Sequence, residues 1–190
     1  MSARASIDQR RHRLSVADYH RMGEIGVLGH EPRVELVEGQ ILDMTPIGTA
    51  HAMMVSELIR RLVPAAGLRA VVWCQNPVIL DQMTEVQPDV ALLRPQREIY
   101  RLRHPRPEDV LLLVEVADTS LRYDQGVKIP MYARSGIPEV WLIDTNSAAL
   151  VIHRAPATSG FSKIERTTAP GVVRPVALED MEIDLVGLFA

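Results

Sequence analysis

An acid inside an apolar run, a second acid behind a proline and a scarce lysine are the residues here whose types and spacing could do chemistry. The run is Val110 to Val116, apolar throughout except for Glu115. Strand side chains alternate faces, so Leu111, Leu113 and Glu115 are expected on one side and Leu112, Val114 and Val116 on the other. Apolar residues on both faces mark a strand covered on both sides, as in the middle of an α/β sheet. A carboxylate there needs a cation, a metal or hydrogen bonds to meet it. Asp89 opens another strand directly after Pro88, and Lys128 lies in the helical stretch Leu121 to Gly136 that follows the Glu115 strand. Two strand carboxylates and a helical lysine suggest a site for magnesium, with manganese as the alternative ion, since such hard cations take carboxylate and phosphate oxygens.

Lysine usage sharpens the case for Lys128. The chain has two lysines, Lys128 and Lys163, against nineteen arginines, so ordinary positive charge is supplied by arginine. A lysine kept in this helix points to a need for a compact, deprotonatable ammonium. The plainer reading is a surface pair with Asp124 at i, i+4, worth about 0.3 kcal/mol. In both readings, replacing Lys128 is expected to leave folding stability nearly unchanged. Asp89 alone could simply start a strand from a turn, and Glu115 could pair with a buried arginine.

The elements that must position these residues follow from periodicity. Ser15 and Asp18 form a capping-box pattern that opens a short helix through about Met22. Arg33 to Val37 and Gln40 to Met44 flank Glu38-Gly39 and read as a hairpin. Ala50, Met54, Leu58 and Leu62, widened by Met53, Val55, Ile59 and Val63, make an amphipathic helix that Pro64 and Gly67 are expected to stop. Arg69 to Gln75, Pro77 to Leu80 and Val86 to Leu93 read as strands. Arg94 to Asp109 reads as a loop with about one helical turn. Glu139 to Asp144 is a further strand after the Lys128 helix, and Ala149 to His153, Phe161 to Arg166 and Val172 to Val176 suggest a C-terminal set of short antiparallel strands.

With Pro88-Asp89, Glu115-Val-Ala117 and Lys128 in a helix–three strands–helix–strand order from Ala50 to Asp144, the sequence resembles the PD-(D/E)XK nuclease superfamily. More narrowly it resembles the bacterial putative restriction endonuclease family. The likeness rests on Val-Glu-Val with Ser120, on Tyr123-Asp124 with Lys128, on Gly136-Ile-Pro-Glu-Val-Trp141, on Glu35-Leu36 with Gly39, and on His51. It runs from about Leu14 to the C-terminus. One departure is that Ala117 stands where the superfamily has its lysine; the family supplies the lysine from the next helix, here Lys128.

The resemblance implies an α/β, restriction-endonuclease-like core, α-β-β-β-α-β, with a mixed sheet flanked by helices. An N-terminal helix and β-hairpin would precede it and short strands would follow. The chain would form a single nuclease-like domain: 1–13 disordered, 14–46 helix and hairpin, 47–144 catalytic core, 145–190 C-terminal strands. It implies metal-dependent hydrolysis of phosphodiester bonds, in DNA, with Asp89, Glu115 and Lys128 catalytic and with Asp89, Glu115 and Glu35 as metal ligands. The bland counterpart for Glu35 is a solvated hairpin face. His51 and Tyr123 are accessory candidates, each with packing as the alternative. Arg94, Arg97, Arg101, Arg103 and Arg106 form a basic stretch expected beside the site, either as a solvated loop or as a contact to backbone phosphates. Trp73 and Trp141 read as core.

Composition narrows the function classes. A hydrophobic content of 47%, a charged content of 24% and a formal net charge of -3 describe a globular chain without a broadly basic coat. Cys74 is the single cysteine, so no intrachain disulfide can form, and a cytoplasmic location is expected. No apolar run approaches a membrane span. Glycine-rich phosphate loops, zinc-spaced Cys/His clusters and a nucleophile elbow are missing. Two acids would also serve a glycosidase, but the lysine and an aromatic content of 4% argue against sugar stacking. A catalytically inactive nucleic-acid-binding or assembly module on the same fold is the main rival, and hydrolysis of a small phosphate ester a third class. Cutting both strands of a duplex in one encounter needs two sites, so a homodimer is expected.

Overall fold

The computed structural model describes residues 12–29 and 33–190. The disorder expected over residues 1–13 therefore falls almost wholly outside the described residues. Leu14, which follows, is hydrogen-bonded through its amide to the Gly39 carbonyl at 3.0 Å.

Helix α1 (Val16–Glu24) starts on the expected capping box, Ser15 and Asp18 each binding the other's amide. Strands β1 (Val34–Val37) and β2 (Gln40–Asp43) make the expected hairpin. Both turn residues, Glu38 and Gly39, have positive φ, which is the geometry of a tight two-residue hairpin turn. Helix α2 (Thr49–Ala66) buries Val55, Leu58, Leu62 and Ala66. Pro64 does not stop it. The helix carries Pro64 on its exposed side in the last turn and ends at Gly67, which has positive φ.

Strands β3 (Val71–Cys74), β4 (Val78–Asp81), β5 (Thr84–Val86), β6 (Val90–Leu93) and β7 (Val110–Ala117) come next. The single strand expected over Val86 to Leu93 is two. Pro88 has no amide to give a ladder, and the chain leaves one sheet at Val86 and enters another at Val90. The segment between β6 and β7 has two 3-10 turns, Ile99–Arg101 and Pro107–Asp109, where one was expected. Helix α3 is composite: α-helical over Leu121–Tyr123, π-helical over Asp124–Lys128 and α-helical over Ile129–Arg134. Strand β8 (Glu139–Asp144) matches expectation. The hairpin β9 (Ala149–Ala157) and β10 (Gly160–Thr167) is longer than expected, and β11 (Val172–Val173) pairs with β12 (Ile183–Asp184), a strand the sequence reading lacked.

Two sheets result. A six-stranded sheet runs β10-β9-β8-β7-β6-β3, with only β7 and β8 parallel, the pair that the α3 crossover connects. A four-stranded antiparallel sheet runs β2-β1-β5-β4, so the N-terminal hairpin is built into the middle of the chain rather than appended to it. One face of the large sheet packs on α2 and the C-terminal segment, through Leu92, Leu112, Val114 and Trp141. The other face packs on α3 and the inner face of the small sheet, through Leu113, Tyr132, Ile137 and Val86. Helix α1 covers the small sheet's outer face, through Val16, Tyr19, Val34 and Leu36.

Two sequence expectations about packing change in detail. Leu111 sits with Leu112 rather than with Leu113, because the β6–β7 register shifts between Leu92 and Leu93 and a bulge turns that residue over. Trp141 is fully buried as expected, whereas Trp73 is only half-buried and donates its indole N–H to the Pro77 carbonyl at 3.1 Å. Among the described residues no helix is long and apolar enough to cross a membrane.

Pro64 costs α2 one internal hydrogen bond at an exposed position outside the buried stripe of the helix. Pro64→Ala is expected to stabilise the chain by about 1 kcal/mol or more, read as a higher midpoint in urea unfolding at unchanged slope.

Candidate functional site

Asp89 and Glu115 come together because of the antiparallel register of β6 and β7. Val90 pairs with Val114, so the residue before β6 falls opposite the residue after Val114. The two acids share the face on which Ala91 and Leu113 lie. Asp89 is fixed by the neighbouring strand: its Oδ2 accepts from the Val116 amide at 2.8 Å and also meets His51 Nε2 at 3.0 Å. Gln75 Nε2 donates to the other oxygen at 3.4 Å.

Glu115 is held from α3. Lys128 Nζ donates to its Oε1 at 3.3 Å, and the Tyr132 hydroxyl donates to the same oxygen. Lys128 Nζ also donates to Glu35 Oε1 at 3.0 Å, an oxygen that further accepts the Gln87 amide at 2.7 Å. Glu35 stands on β1, so the small sheet contributes an acid to the same place. Its partner Gln87 lies in the Gln87-Pro88 break that separates β5 from β6. The break therefore has a positional role.

Asp89, Glu115, Lys128, Glu35, Gln87 and His51 line one cavity of about 440 Å3, together with Asp118, Ser120, Tyr123, Asp124 and Arg33. Ser120 Oγ donates to Asp124 at 2.6 Å. The π-helical turn Asp124–Lys128 brings both of its ends inward, and both are buried. Such turns recur at functional sites because one extra residue redirects the side chains of a helix.

Burial is the largest influence on the Glu115 carboxyl and pushes it up to about 8; the acids Asp89, Asp124 and Glu35 add to the rise and Lys128 opposes it. Burial also raises Asp124, against its hydrogen bond from Ser120. For Lys128 burial favours the neutral amine, yet Glu115, Glu35 and Asp124 together outweigh it and hold the ammonium charged. The hydrogen bond to Asp89 raises His51. Burial, with Glu35 close by, pushes the Tyr123 phenol to about 12, so it stays protonated.

The structure thus brings Asp89, Glu115, Lys128, Glu35, His51 and Tyr123 into one place. The surface pair of Lys128 with Asp124 is not what forms: Lys128 is 6% exposed and bonded to Glu35 and Glu115, while Lys163 is exposed on β10. The expectation that stability ignores Lys128 is overturned with it. Removing a buried cation strands two buried carboxylates, at about 3–5 kcal/mol.

The basic stretch is elsewhere. Asp89 precedes β6 and Glu115 lies near the end of β7, whereas Arg94, Arg97, Arg101, Arg103 and Arg106 lie in the connection at the opposite ends of those strands. None lines the cavity. Arg103 instead pairs with buried Asp109 at 2.6 Å, Arg101 with Glu98 at 3.0 Å, and Arg94 donates to the Glu108 carbonyl. The arginine at the cavity is Arg33.

Sequence reasoning also missed Tyr132 and Asp118. Tyr132 was detectable, being four residues beyond Lys128 on a predicted helix and hence on the same face. Asp118 and Arg33 carried no such local signal.

This donor set offers free carboxylate oxygens to a divalent ion. Glu115 Oε2 and Glu35 Oε2 accept no hydrogen bond from the described residues, and both acids open on the cavity. The Tyr123 hydroxyl and His51 Nδ1 are buried there without a partner among the described residues. Carboxylate oxygens in excess of nearby cations are what a hard cation requires.

Comparison with known proteins adds the family and the fold. Residues 16–185 match the family Uma2, described as putative restriction endonuclease. The chain is similar to the crystal structure of a putative nuclease belonging to DUF820 from Anabaena variabilis, at 15% identity and a TM-score of 0.69. That likeness covers 93% of this chain and 97% of the other. No curated protein matches the chain.

The raised Glu115 carboxyl has a consequence for stability. Unfolded, a glutamate loses its proton near its ordinary value of 4.5; folded, this one keeps it to about 8. Between those values the folded chain binds more protons than the unfolded one, so stability falls as pH rises. Urea unfolding in chelator at pH 5, 6.5 and 8 is expected to show that fall. Glu115→Gln, which has no proton to lose, should flatten the slope and be the more stable protein at pH 8.

Proposed function

Since the chain belongs to the Uma2 family of putative restriction endonucleases, we propose that it is a magnesium-dependent endonuclease hydrolysing phosphodiester bonds of DNA. The observation that carries this reading is the convergence of Glu35, Asp89, Glu115 and Lys128 on one cavity from three strand regions and a helix. Asp89 and Glu115 would hold the ion, with Glu35 as a third carboxylate, and manganese is an acceptable substitute. Bound there, the ion would polarise the phosphodiester and lower the pKa of an attacking water.

The chain's own residues have distinct parts. Lys128, kept charged by its acidic neighbours, stabilises negative charge developing on phosphate oxygens rather than accepting a proton. Tyr132 and Lys128 both bind Glu115 Oε1 and so aim the other oxygen at the cavity. His51, oriented by Asp89, can donate to a phosphate oxygen once protonated. Arg33 supplies a fixed positive charge at the cavity lining. A homodimer would give the two sites that double-strand cleavage needs.

Plasmid cleavage over a magnesium titration tests the reading. Wild type is expected to nick or cut only with metal, and Asp89→Asn and Glu115→Gln to lose activity while remaining folded. Lys128→Arg is expected to cut at a rate reduced about a hundredfold, the scale of one lost transition-state charge contact. DNA retained without cleavage at every magnesium concentration would instead identify a binding module. Light scattering should give twice the mass of one chain; a monomer would restrict the reading to nicking or single-strand cleavage.

A further inference from the structure

A second group of potential ligands lies away from the carboxylate cavity. His20 on α1, Glu85 on β5 and His104 in the β6–β7 connection bring one ligand atom each to within 4.8 Å of the others. His20 Nε2 lies 2.6 Å from Glu85 Oε2, and the His20 and His104 rings meet edge-on with centroids 5.8 Å apart at 70°. Glu85 is 5% exposed, and the only hydrogen bond to its carboxylate among the described residues comes from His20. A buried acid served by a single imidazole, with a second imidazole alongside, is poorly compensated.

The two groups occupy opposite faces of the small sheet. Glu85 pairs with Leu36 and Ile79, which pack beneath α1, whereas neighbouring Glu35 faces the cavity. Independent backbone contacts set all three residues in place. Val16 N donates to the Gln82 carbonyl at 2.8 Å, tying α1 to the β4–β5 turn, and Ile79 N donates to the Pro105 carbonyl at 2.9 Å, tying the residue after His104 to Glu85's partner. Arg103, paired with Asp109, also donates to the His104 carbonyl at 3.0 Å.

We propose that His20, Glu85 and His104 form a second metal site, selective for zinc(II), that clamps α1 and the β6–β7 connection onto the outer face of the small sheet. Two imidazoles and one carboxylate suit zinc, which takes His nitrogen and carboxylate oxygen at about 2.0–2.2 Å and leaves a fourth position for water. Magnesium prefers an all-oxygen shell, so it does not compete for this donor set. The ion takes the place of the direct His20–Glu85 hydrogen bond and draws His104 in. It binds the folded chain alone, because the three ligands are far apart in sequence, and therefore stabilises it by mass action.

Equilibrium dialysis of the untagged full chain against micromolar zinc(II), with millimolar magnesium present, tests this site. Wild type is expected to retain one zinc per chain, and the double variant Asp89→Asn/Glu115→Gln to retain it too. His104→Ala, at a half-buried position that should leave the metal-free melting temperature close to wild type, is expected to bind at least about tenfold more weakly. Zinc should raise the melting temperature of wild type by several degrees and that of His104→Ala by little. His20→Ala and Glu85→Gln should behave as His104→Ala does. No zinc retained by wild type, binding unchanged in His104→Ala, or zinc lost from a folded double variant would each overturn the proposal.

Discussion

One buried ammonium among four buried carboxylates is the constraint on which the rest of this structure depends. Glu35, Asp89, Glu115 and Asp124 are each 9% exposed or less, and Lys128 sits among them at 6%. At 3.0 Å the Lys128–Glu35 attraction is about 5 kcal/mol gross at an effective dielectric near 20, most of it consumed by desolvating the two ions. The remaining acids have no ammonium of their own. Proton retention by Glu115 and hydrogen bonds from Val116, Ser120, Gln87 and Tyr132 absorb the imbalance. A chain selected for stability alone would place apolar side chains there. Poor local energetics on a rigid frame are a mark of a site kept for chemistry.

Much of that site was legible in the sequence because its signals are local. Glu115 stood out as an acid in a doubly covered strand, Asp89 as an acid behind a proline, and Lys128 as a lysine where arginine is the rule. What escaped depends on distant parts of the chain. Pro88 was visible, but not that β5 and β6 belong to different sheets. The bulge at Leu111 arises from pairing with β6 and leaves no trace in the apolar run. The arginines after Arg94 are near Asp89 in sequence, yet β6 carries the chain away from the site before they occur. Arg33 and Asp118 reach the cavity through pairing and loop geometry that no periodicity reports.

Strand register does most of the positioning. The β6–β7 ladder sets Asp89 against Glu115, the parallel β7–β8 pair holds the Glu115 strand from its other side, and the β1–β5 pairing fixes Glu35 relative to the Gln87-Pro88 break. A slip of one residue in any of these would turn an acid into a hydrophobic layer, where an ionised carboxylate is costly. The apolar layers therefore enforce the geometry of the acids.

The Lys128–Glu35 bond joins residues 93 positions apart. A ribosome delivers the chain N-terminus first, so Glu35 emerges long before the ammonium that neutralises it, and β8 later still. Loop-closure entropy makes such distant pairings late events in folding as well. The acids can face one another correctly only once β6, β7 and β8 have paired and the small sheet has closed through β1 and β5. Copies that end before Lys128 or before β8 accordingly have no assembled centre.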